Sequence, residues 1–381
     1  MNPFEIIVTT LFGLEEILAS ELKELGASDI EILNRAVKCR GDQAMLYKCN
    51  YSLRTAIKVL KPIFSFYAAD EQQLYDNIKR INWADYLTVK KTFAIDGSTH
   101  GGTFTHSKYV ALKSKDAIAD QFRDRQGIRP SVDIEHPDLR INVHIAEKKV
   151  IVSLDSSGSS LGKRNYRLTQ TLAPISEVLA AGIILLSGWD KKCDFIDPMC
   201  GSGTFSVEAA LMAANIPPGR FRSFGFETWN DFDSVLWQKT KDEADALIVP
   251  LETRFFANDM DEDALKIAAA NAGRAGVKDA ISFSKVDFFE SSHDAGQGLV
   301  VMNPPYGERI KVEEIVPFYK DMGTRLKHFY PGCDAWIISS NYDALKFFGL
   351  RPSRKIKLFN GSLECRLQKY ELYLGSKKQK Q

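Results

Sequence analysis

Along the first 154 residues, short alternating patterns are mixed with two stretches of helical spacing. Residues 141–145 alternate apolar and polar positions, and residues 150–154 pair naturally with them across a turn at residues 147–149. Helices are predicted at residues 14–25, where Gly26 ends the pattern, and at residues 108–122. The predicted strands are residues 4–8, 92–95, 141–145 and 150–154. This part of the chain is therefore expected to be α+β.

From residue 172 onward, strands and helices alternate, which predicts a mostly parallel sheet covered by helices. Near the C-terminus, two apolar runs flank Asn360-Gly361, a dipeptide that favours a tight hairpin turn. The predicted strands are residues 193–196, 255–257, 281–286, 298–302, 335–340, 355–359 and 363–373, and the helices are residues 172–186, 204–214 and 261–275. The result is an α/β sheet closed by an antiparallel hairpin, which differs from the usual dinucleotide-binding layout.

Between these two parts lie six small, polar residues, 155–160, here called the serine segment. Serine and glycine in series are typical of flexible connections. We therefore place the boundary between the two parts at this segment.

Composition excludes several classes of protein. The chain has 381 residues, 44% of them hydrophobic, and a net charge of +1, so no strong overall field indicates a nucleic-acid partner. The six cysteines form no C-x-x-C pair, and the histidines show no metal-ligand spacing, so no metal is predicted. The N-terminus lacks the apolar run of a signal peptide, and no stretch approaches a membrane span. A cytoplasmic protein is expected.

A glycine-rich turn follows the first strand of the predicted parallel sheet; residues 198–203 are called the glycine loop below. Gly201 and Gly203 let the backbone approach a ligand closely. A dinucleotide fingerprint requires a third glycine where Ser206 stands, and a P-loop requires a lysine that this loop lacks. A nucleoside without phosphates remains, of which S-adenosylmethionine is the commonest. The candidate cofactor residues here are Asp197, Pro198, Gly201, Gly203 and Thr204.

Two acidic residues follow the next strands of the sheet. Asp259 can accept hydrogen bonds from both hydroxyls of a ribose, whereas Asp261 can instead cap the following helix. Asp287 can meet the amino group of an adenine, although a solvated loop position is the alternative. Along the chain, Asp259 lies farther from the glycine loop than the acidic residue does in a standard βαβ nucleotide-binding unit, so residues 216–250 must be an insertion.

The most informative motif is Asn303-Pro304-Pro305-Tyr306, which follows an apolar strand. An exocyclic base amine is a poor nucleophile because its lone pair is delocalised into the ring. The side-chain oxygen of Asn303 and the carbonyl of Pro304 can orient both N–H bonds, and the two prolines stiffen the turn. Tyr306 offers a face on which a flipped base can stack. The alternative is a purely structural turn.

With these residues in view, the chain resembles the THUMP-domain class I RNA methyltransferases over nearly its whole length. The matching motifs are Asp-Pro-Met-Cys-Gly-Ser-Gly-Thr-Phe at 197–205, Asn-Pro-Pro-Tyr-Gly-Glu-Arg at 303–309, Leu-Gly-Lys-Arg-Asn-Tyr-Arg at 161–167, Ala-Pro-Ile at 173–175, Phe-Gly-Phe-Glu-Thr-Trp at 224–229, and Asn360-Gly361. The family usually has glycine where Asn165 stands, and asparagine also tolerates a left-handed backbone.

The resemblance implies a ferredoxin-like part at residues 1–50, an RNA-gripping THUMP domain at 51–155, a linker at 156–170 and a Rossmann-like methyltransferase domain at 171–381. It also implies an enzyme that makes N2-methylguanosine in RNA, with the bacterial branch acting on 23S ribosomal RNA nearer than the tRNA branch. No obligate protein partner is implied. The cofactor residues would be those named above, with Asn303, Pro304, Pro305 and Tyr306 as the catalytic ones.

Basic and aromatic residues next to the serine segment are candidate RNA contacts: Lys163, Arg164, Tyr166 and Arg167, with Arg309 farther along the chain. The alternative for the first four is that they only pack the linker onto the catalytic domain. Two other functions remain open. An adenine-N6 methyltransferase uses the same kind of site, and an inactive RNA-binding protein can keep the fold.

Overall fold

The computed structural model describes residues 3–167, 175–293, 296–305 and 312–373. The chain divides into two compact units. The first unit comprises Met1–Thr10, Leu18–Leu161 and Arg222–Glu243, and the second comprises Leu11–Ile17, Gly162–Phe221 and Ala244–Gln381. Within the described residues, no helix is both long enough and apolar enough to span a lipid bilayer.

The first unit is built around an eight-stranded sheet with the order β2-β3-β1-β4-β8-β7-β5-β6, in the part of the chain described. Strand β5 pairs in parallel with β6 and β7, and the other pairs are antiparallel. Its elements are β1 (Phe4–Thr10), α1 (Glu15–Glu24), β2 (Ser28–Leu33), β3 (Ala36–Gly41), α2 (Gln43–Ser52), β4 (Ala56–Tyr67), α3 (Glu71–Arg80), β5 (Thr92–His100), α4 (Ser107–Gln126), β6 (Ser131–Val132), β7 (Leu139–Ala146) and β8 (Lys149–Asp155). Every second residue of β7 is buried, as its alternating sequence predicts.

The serine segment is tightly bonded within the first unit. Ser156 and Ser157 are fully buried. The Ser156 hydroxyl donates to the Val59 carbonyl at 2.7 Å, and the Ser157 hydroxyl donates to Asn50 Oδ1 at 2.8 Å. The Val59 amide in turn donates to Ser157 Oγ at 2.8 Å. The expectation of flexibility is therefore wrong for these residues, because their small side chains satisfy buried backbone groups at close range.

Part of the insertion predicted at residues 216–250 packs within the first unit rather than the second. Phe226 stacks on Tyr47 with 4.4 Å between ring centroids, and Trp237 meets Phe226 edge-on at 5.0 Å. Arg222 donates to the carbonyls of three serines in the serine segment, at 2.5 to 3.1 Å. Aromatic pairs and charge-assisted hydrogen bonds thus hold Arg222–Glu243 in the first unit.

The second unit contains a seven-stranded sheet with the order β11-β10-β9-β12-β13-β15-β14, among the described residues. The elements that follow β8 in the chain are α5 (Glu177–Ser187), β9 (Asp194–Asp197), α6 (Thr204–Ala213), α7 (Ser234–Asp245), β10 (Phe255–Asp259), α8 (Glu262–Arg274), β11 (Ile281–Lys285), β12 (Gly298–Met302), α9 (Val312–Phe329), β13 (Asp334–Ser339), α10 (Tyr342–Lys346), β14 (Arg354–Asn360) and β15 (Leu363–Glu371). Strands β9 to β13 are parallel, and β15 and β14 are antiparallel additions.

Strand β9 lies between β10 and β12, where the strand order changes direction. Ligands of open α/β sheets bind at such a switch point, beyond the carboxyl ends of the strands. The predicted hairpin around Asn360-Gly361 is present, with Asn360 paired to Leu363. Helix α5 begins at Glu177, capped by the Ser176 hydroxyl, and the predicted helical residues 172–174 lie outside the described residues.

Candidate functional site

The glycine loop joins β9 to α6 and has a backbone that only glycine accepts easily. Gly201 and Gly203 have φ angles of +52° and +76°, in the left-handed region. A Cβ atom at Gly203 would lie 2.9 Å from the Cβ of Ala268 in α8. The Cys200 amide donates to the Asn258 carbonyl at 2.9 Å, which fixes the loop to the end of β10. The loop therefore has one well-defined shape, which a bound nucleoside requires.

Asp259, at the end of β10, receives hydrogen bonds from two backbone amides. Its carboxylate accepts from the Gly201 amide at 2.8 Å and from the Asp261 amide at 3.0 Å. Asp261 caps α8 by accepting from the Asp263 amide at 2.9 Å. An ionised carboxylate has about four lone-pair positions, so Asp259 can still accept from a ligand. The structure thus separates the two aspartates, with Asp261 in the helix cap and Asp259 against the loop.

Asp197, at the end of β9, is only 1% exposed. Its Oδ2 accepts from the Ser206 hydroxyl at 3.1 Å, and its Oδ1 has no hydrogen-bond partner in the described part of the chain. The pKa of Asp197 is raised to about 8, mainly because the carboxyl is buried and also because Asp259 lies nearby, although the hydrogen bond from Ser206 lowers it. A buried oxygen without a donor is costly, and it invites a ligand that supplies one. Ser206, which replaces the third glycine of a dinucleotide fingerprint, thus supports this aspartate.

The remaining predicted cofactor residues lie around the same edge. Thr204 begins α6 and is buried. Pro198, the first residue of the glycine loop, is also buried. Asp287 is half-buried just past β11, where its Oδ1 accepts from the Phe289 amide at 2.9 Å and caps a short 3₁₀ turn. The parallel register of β9, β10 and β11 brings all of these positions to one sheet edge.

The Asn303-Pro304-Pro305 turn follows β12, the parallel neighbour of β9. Gly298 of β12 pairs with Asp194 of β9, so the two strands end side by side and the turn reaches the sheet edge that carries the glycine loop. Asn303 is half-buried, and its buried Oδ1 has no hydrogen-bond partner among the residues that the structure describes. Pro304 is buried and Pro305 is half-buried. Tyr306 and Arg309 lie outside the described residues.

Two of the predicted RNA contacts are turned into the protein. Arg164 and Tyr166 are each 1% exposed, and both approach Glu208 of α6: the Tyr166 hydroxyl donates at 2.9 Å, and Arg164 Nε lies 3.6 Å away. This is a correction, because buried side chains engaged with a buried carboxylate are not presented to an RNA. Asn165 has a φ of +66°, the left-handed backbone expected where the family has glycine.

Arg167 and Lys163 differ from these two residues. Arg167 donates to Glu177 at 2.8 Å and to the Ile175 carbonyl at 2.8 Å, so it braces the start of α5. Lys163 is exposed. Most of residues 163–167 therefore follow the alternative in which they pack the linker onto the catalytic domain. Glu208 was missed from the sequence, although a carboxylate inside the apolar stretch after the glycine loop is a signal of a buried partner.

Comparisons with known proteins give the family. Residues 164–369 match the model of the RMKL-like methyltransferase domain, UPF0020, over more than half of the chain. The chain belongs to this family. Upstream, residues 68–155 match the THUMP domain, and residues 5–60 match the RlmL ferredoxin-like domain. The UPF0020 chain thus combines the three domain types that the resemblance implied.

Two curated relatives show how much of the length is shared. A putative RNA methyltransferase of Synechocystis sp., slr0064, is 39% identical over 372 residues, which is 96% of each protein. The ribosomal RNA large subunit methyltransferase K/L of Photobacterium profundum is 37% identical over 389 residues, covering 100% of this chain but 54% of the relative. The chain therefore spans about half the length of the K/L relatives that it matches.

Two solved structures have the same fold over the whole chain. SMU.472, a putative methyltransferase complexed with SAH, has a TM-score of 0.88 at 29% identity and covers 99% of this chain and 100% of its own. A protein from Listeria monocytogenes, named as a predicted N6-adenine-specific DNA methylase, has a TM-score of 0.87 at 31% identity, with coverage of 98% and 97%. The predicted fold class is confirmed, and the family that the chain belongs to is described as a methyltransferase domain.

Proposed function

We propose that this UPF0020 protein transfers a methyl group from S-adenosylmethionine to the exocyclic N2 of a guanine in RNA, with 23S ribosomal RNA as the first substrate to test. The observation that carries the proposal is the Oδ1 of Asn303, which has no hydrogen-bond partner among the described residues and lies in a proline-stiffened turn at the sheet edge that holds the glycine loop. The names of the K/L relatives support the ribosomal substrate, and the matched THUMP domain supports RNA.

The turn after β12 has the chemistry that an exocyclic amine requires. An amine on a base presents two N–H donors. When both N–H bonds are held out of the plane of the ring, the nitrogen lone pair is no longer conjugated with the ring and becomes available. Asn303 Oδ1 and the Pro304 carbonyl are the two acceptors proposed for these donors. Because Pro304 and Pro305 fix their own φ angles, the direction of the carbonyl is set before substrate binds. Catalysis is then mainly positioning of the amine.

The residues around the glycine loop fit the cofactor. Asp259 is proposed to accept from ribose hydroxyls, and the left-handed glycines leave room for a ligand against the backbone. The Oδ1 of Asp197, which has no partner among the described residues, suits a donor such as an ammonium group. The bound cofactor supplies an electrophilic methyl group on a sulfonium. The roles of Asp197, Asp259 and Asp287 in holding it belong to the proposal.

The second candidate is methylation of adenine at N6, which the name given to the Listeria protein favours. Two acceptors orient either amine equally well, so the turn itself does not discriminate. A tRNA guanine is the further alternative for the substrate. RNA contacts through Lys163 and Arg309, a cytoplasmic location and the lack of an obligate protein partner stay predictions.

The test is methyl transfer to RNA followed by nucleoside mass spectrometry. The full chain is incubated with S-adenosylmethionine and, in separate reactions, with unmodified 23S ribosomal RNA, tRNA and duplex DNA. We expect N2-methylguanosine in the 23S reaction. Methyladenosine alone would reject the guanine assignment, and product only in the tRNA reaction would move the substrate to tRNA. If the protein shows no saturable uptake of S-adenosylmethionine, it is an RNA-binding protein with an inactive fold.

A further inference from the structure

A buried asparagine of α8 holds the backbone of the glycine loop from behind. Asn271 is 0% exposed, and its Nδ2 donates to the Ser202 carbonyl at 3.0 Å. Its Oδ1 accepts from Arg274 Nη1 at 3.0 Å. The same nitrogen of Arg274 lies 3.3 Å from the Tyr166 carbonyl. The side-chain amide of Asn271 is thereby fixed at both ends, and its orientation is determined.

The Ser202 carbonyl is the part of the loop that most needs such a partner. Ser202 stands between the two left-handed glycines and is 4% exposed. Glycine on both sides lowers the barrier for rotating the intervening peptide planes. A buried carbonyl without a donor is unfavourable, so removing the donor favours a different loop backbone.

In the described part of the chain, three hydrogen bonds tie the loop backbone to β10 and α8. The Cys200 amide is bonded to the Asn258 carbonyl, and the Gly201 amide is bonded to Asp259 Oδ2. Both of these partners belong to β10. Asn271 supplies the third bond, from α8. Ala268 of the same helix lies against Gly203, at the place where a Cβ atom of residue 203 would be. Helix α8 therefore fixes both the position and the orientation of the second half of the loop.

We propose that Asn271 is a positioning residue that keeps the glycine loop in the shape that binds S-adenosylmethionine, with Arg274 orienting its side chain. The inference rests on the proposed role of this loop in holding the cofactor. Asn271 acts through Ser202 and makes no contact with the ligand itself. Its loss therefore weakens cofactor binding, while the methyl-transfer step at saturating cofactor stays close to that of the unaltered protein.

The diagnostic change is Asn271→Asp in the full chain. Aspartate has nearly the same shape, keeps an acceptor for Arg274 and replaces the donor to Ser202 by an oxygen. We expect the Kd for S-adenosylmethionine, measured calorimetrically, and its KM to rise about tenfold. We expect kcat to change by less than about twofold, because the interaction is lost equally in the ground state and the transition state.

The control is Tyr370→Phe, in β15 of the same unit. Tyr370 is 1% exposed and its hydroxyl donates to Gln368, so the variant also loses a buried hydrogen bond, but no hydrogen bond found among the described residues joins Tyr370 to the loop. Its Kd for cofactor is expected to equal that of the unaltered protein. If Asn271→Asp does not fold, as judged by circular dichroism, Arg274→Gln is used instead. That residue is exposed, and the expected rise in Kd is about threefold.

The outcomes distinguish this inference from the proposed function. If the unaltered protein does not bind S-adenosylmethionine saturably, the proposed function fails. If it binds and the Asn271 variant binds equally well, Asn271 does not position the loop. A fall in kcat with an unchanged Kd also overturns the positioning role. A matched rise in Kd for Tyr370→Phe would show that the effect is a general loss of stability.

Discussion

The glycine loop and the serine segment both contain glycine and serine in a tight backbone, but their chemistry differs. In both, small residues let the backbone pack closely against its surroundings: Gly203 against Ala268, and Gly158 against Gly225. In the serine segment, the hydroxyls of Ser156 and Ser157 complete hydrogen bonds of the surrounding backbone and side chains. Beside the glycine loop, oxygen atoms of Asp197 and Asn303 have no partner in the described residues.

This difference shows how a functional turn is distinguished from a structural one. Small residues in series indicate close packing in both cases, so composition does not separate them. Buried polar atoms are nearly always hydrogen-bonded in folded proteins, and an exception requires an explanation. For the two exceptions found among the described residues at this sheet edge, next to a switch point, we propose that a ligand and a substrate supply the missing donors.

The largest effect should come from Asn303→Ala, which removes an oxygen that has no partner among the described residues. We expect kcat to fall by about 10²–10³-fold, the size of effect seen when one group that stabilises a transition state is removed. The Kd for S-adenosylmethionine should stay within about twofold, because Asn303 is proposed to hold the amine and not the cofactor. Single-turnover methyl transfer and calorimetry measure the two quantities.

Asn77→Ala, on the exposed face of α3, is the matched control for this experiment. Asn77 is half-buried and its described bonds stay within α3, where Nδ2 donates to the Gln73 carbonyl and Oδ1 accepts from Arg80, so we expect no change in kcat. Turnover by Asn303→Ala equal to that of the control would remove Asn303 from the mechanism. An oxygen without a hydrogen-bond partner would then no longer distinguish a functional turn from a structural one.

A matched pair of glycine substitutions comes next. Gly203→Ala and Gly158→Ala both place a side chain at positive φ, +76° and +74°, with new Cβ contacts of 2.9 and 3.1 Å. Each should lower the free energy of unfolding by about 1–3 kcal/mol, measured by urea denaturation. Only Gly203→Ala should raise the Kd for S-adenosylmethionine, by about tenfold or more. Equal Kd values for the two variants would show that the glycine loop does not bind the cofactor.

The sequence predicted the second unit well because its signals are local. The strands of the parallel sheet are short segments that carry apolar residues, and the glycines, Asp259 and the Asn303-Pro304 turn lie at strand ends, so topology alone brings them to one edge. The left-handed Asn165 was predictable for the same reason. These features depend on residues adjacent in the chain.

What the sequence could not give depends on distant partners. Nothing in Arg164 or Tyr166 shows that Glu208, some forty residues away, will bury them. Ser156 and Ser157 resemble a linker because the groups that bond them, Asn50 and Val59, are about a hundred residues earlier. Asn271 bonds a carbonyl 69 positions away. Long-range hydrogen bonds of this kind leave no periodic pattern.

Two serine substitutions test whether buried hydroxyl groups stabilise the serine segment. Ser157→Ala removes the hydroxyl that bonds both Asn50 and the Val59 amide, so we expect a loss of about 1–3 kcal/mol in the free energy of unfolding. Ser159→Ala, at the exposed position two residues on, loses a solvent-exposed bond from Arg222 and should cost about 0.5 kcal/mol or less. Urea denaturation distinguishes the two. Equally small losses would restore the interpretation of the segment as a loose linker.

The smallest effect concerns two buried aspartates, one beside each segment. Asp155 is paired with Lys58 at 2.6 Å, whereas in the described residues Asp197 has only the Ser206 hydroxyl as a partner. The pKa of Asp197 is raised to about 8, mainly by burial. The native state therefore keeps the Asp197 proton at pH values where the unfolded chain has released it. The free energy of unfolding must then fall as the pH rises from about 4 to about 8.

Between about pH 5 and about pH 7, the unaltered protein should lose about 1 kcal/mol more per pH unit than Asp197→Asn, since one pKa unit corresponds to about 1.4 kcal/mol. Parallel pH profiles for the two proteins would mean that a donor already satisfies Asp197, and the unpartnered oxygen would no longer mark the cofactor site.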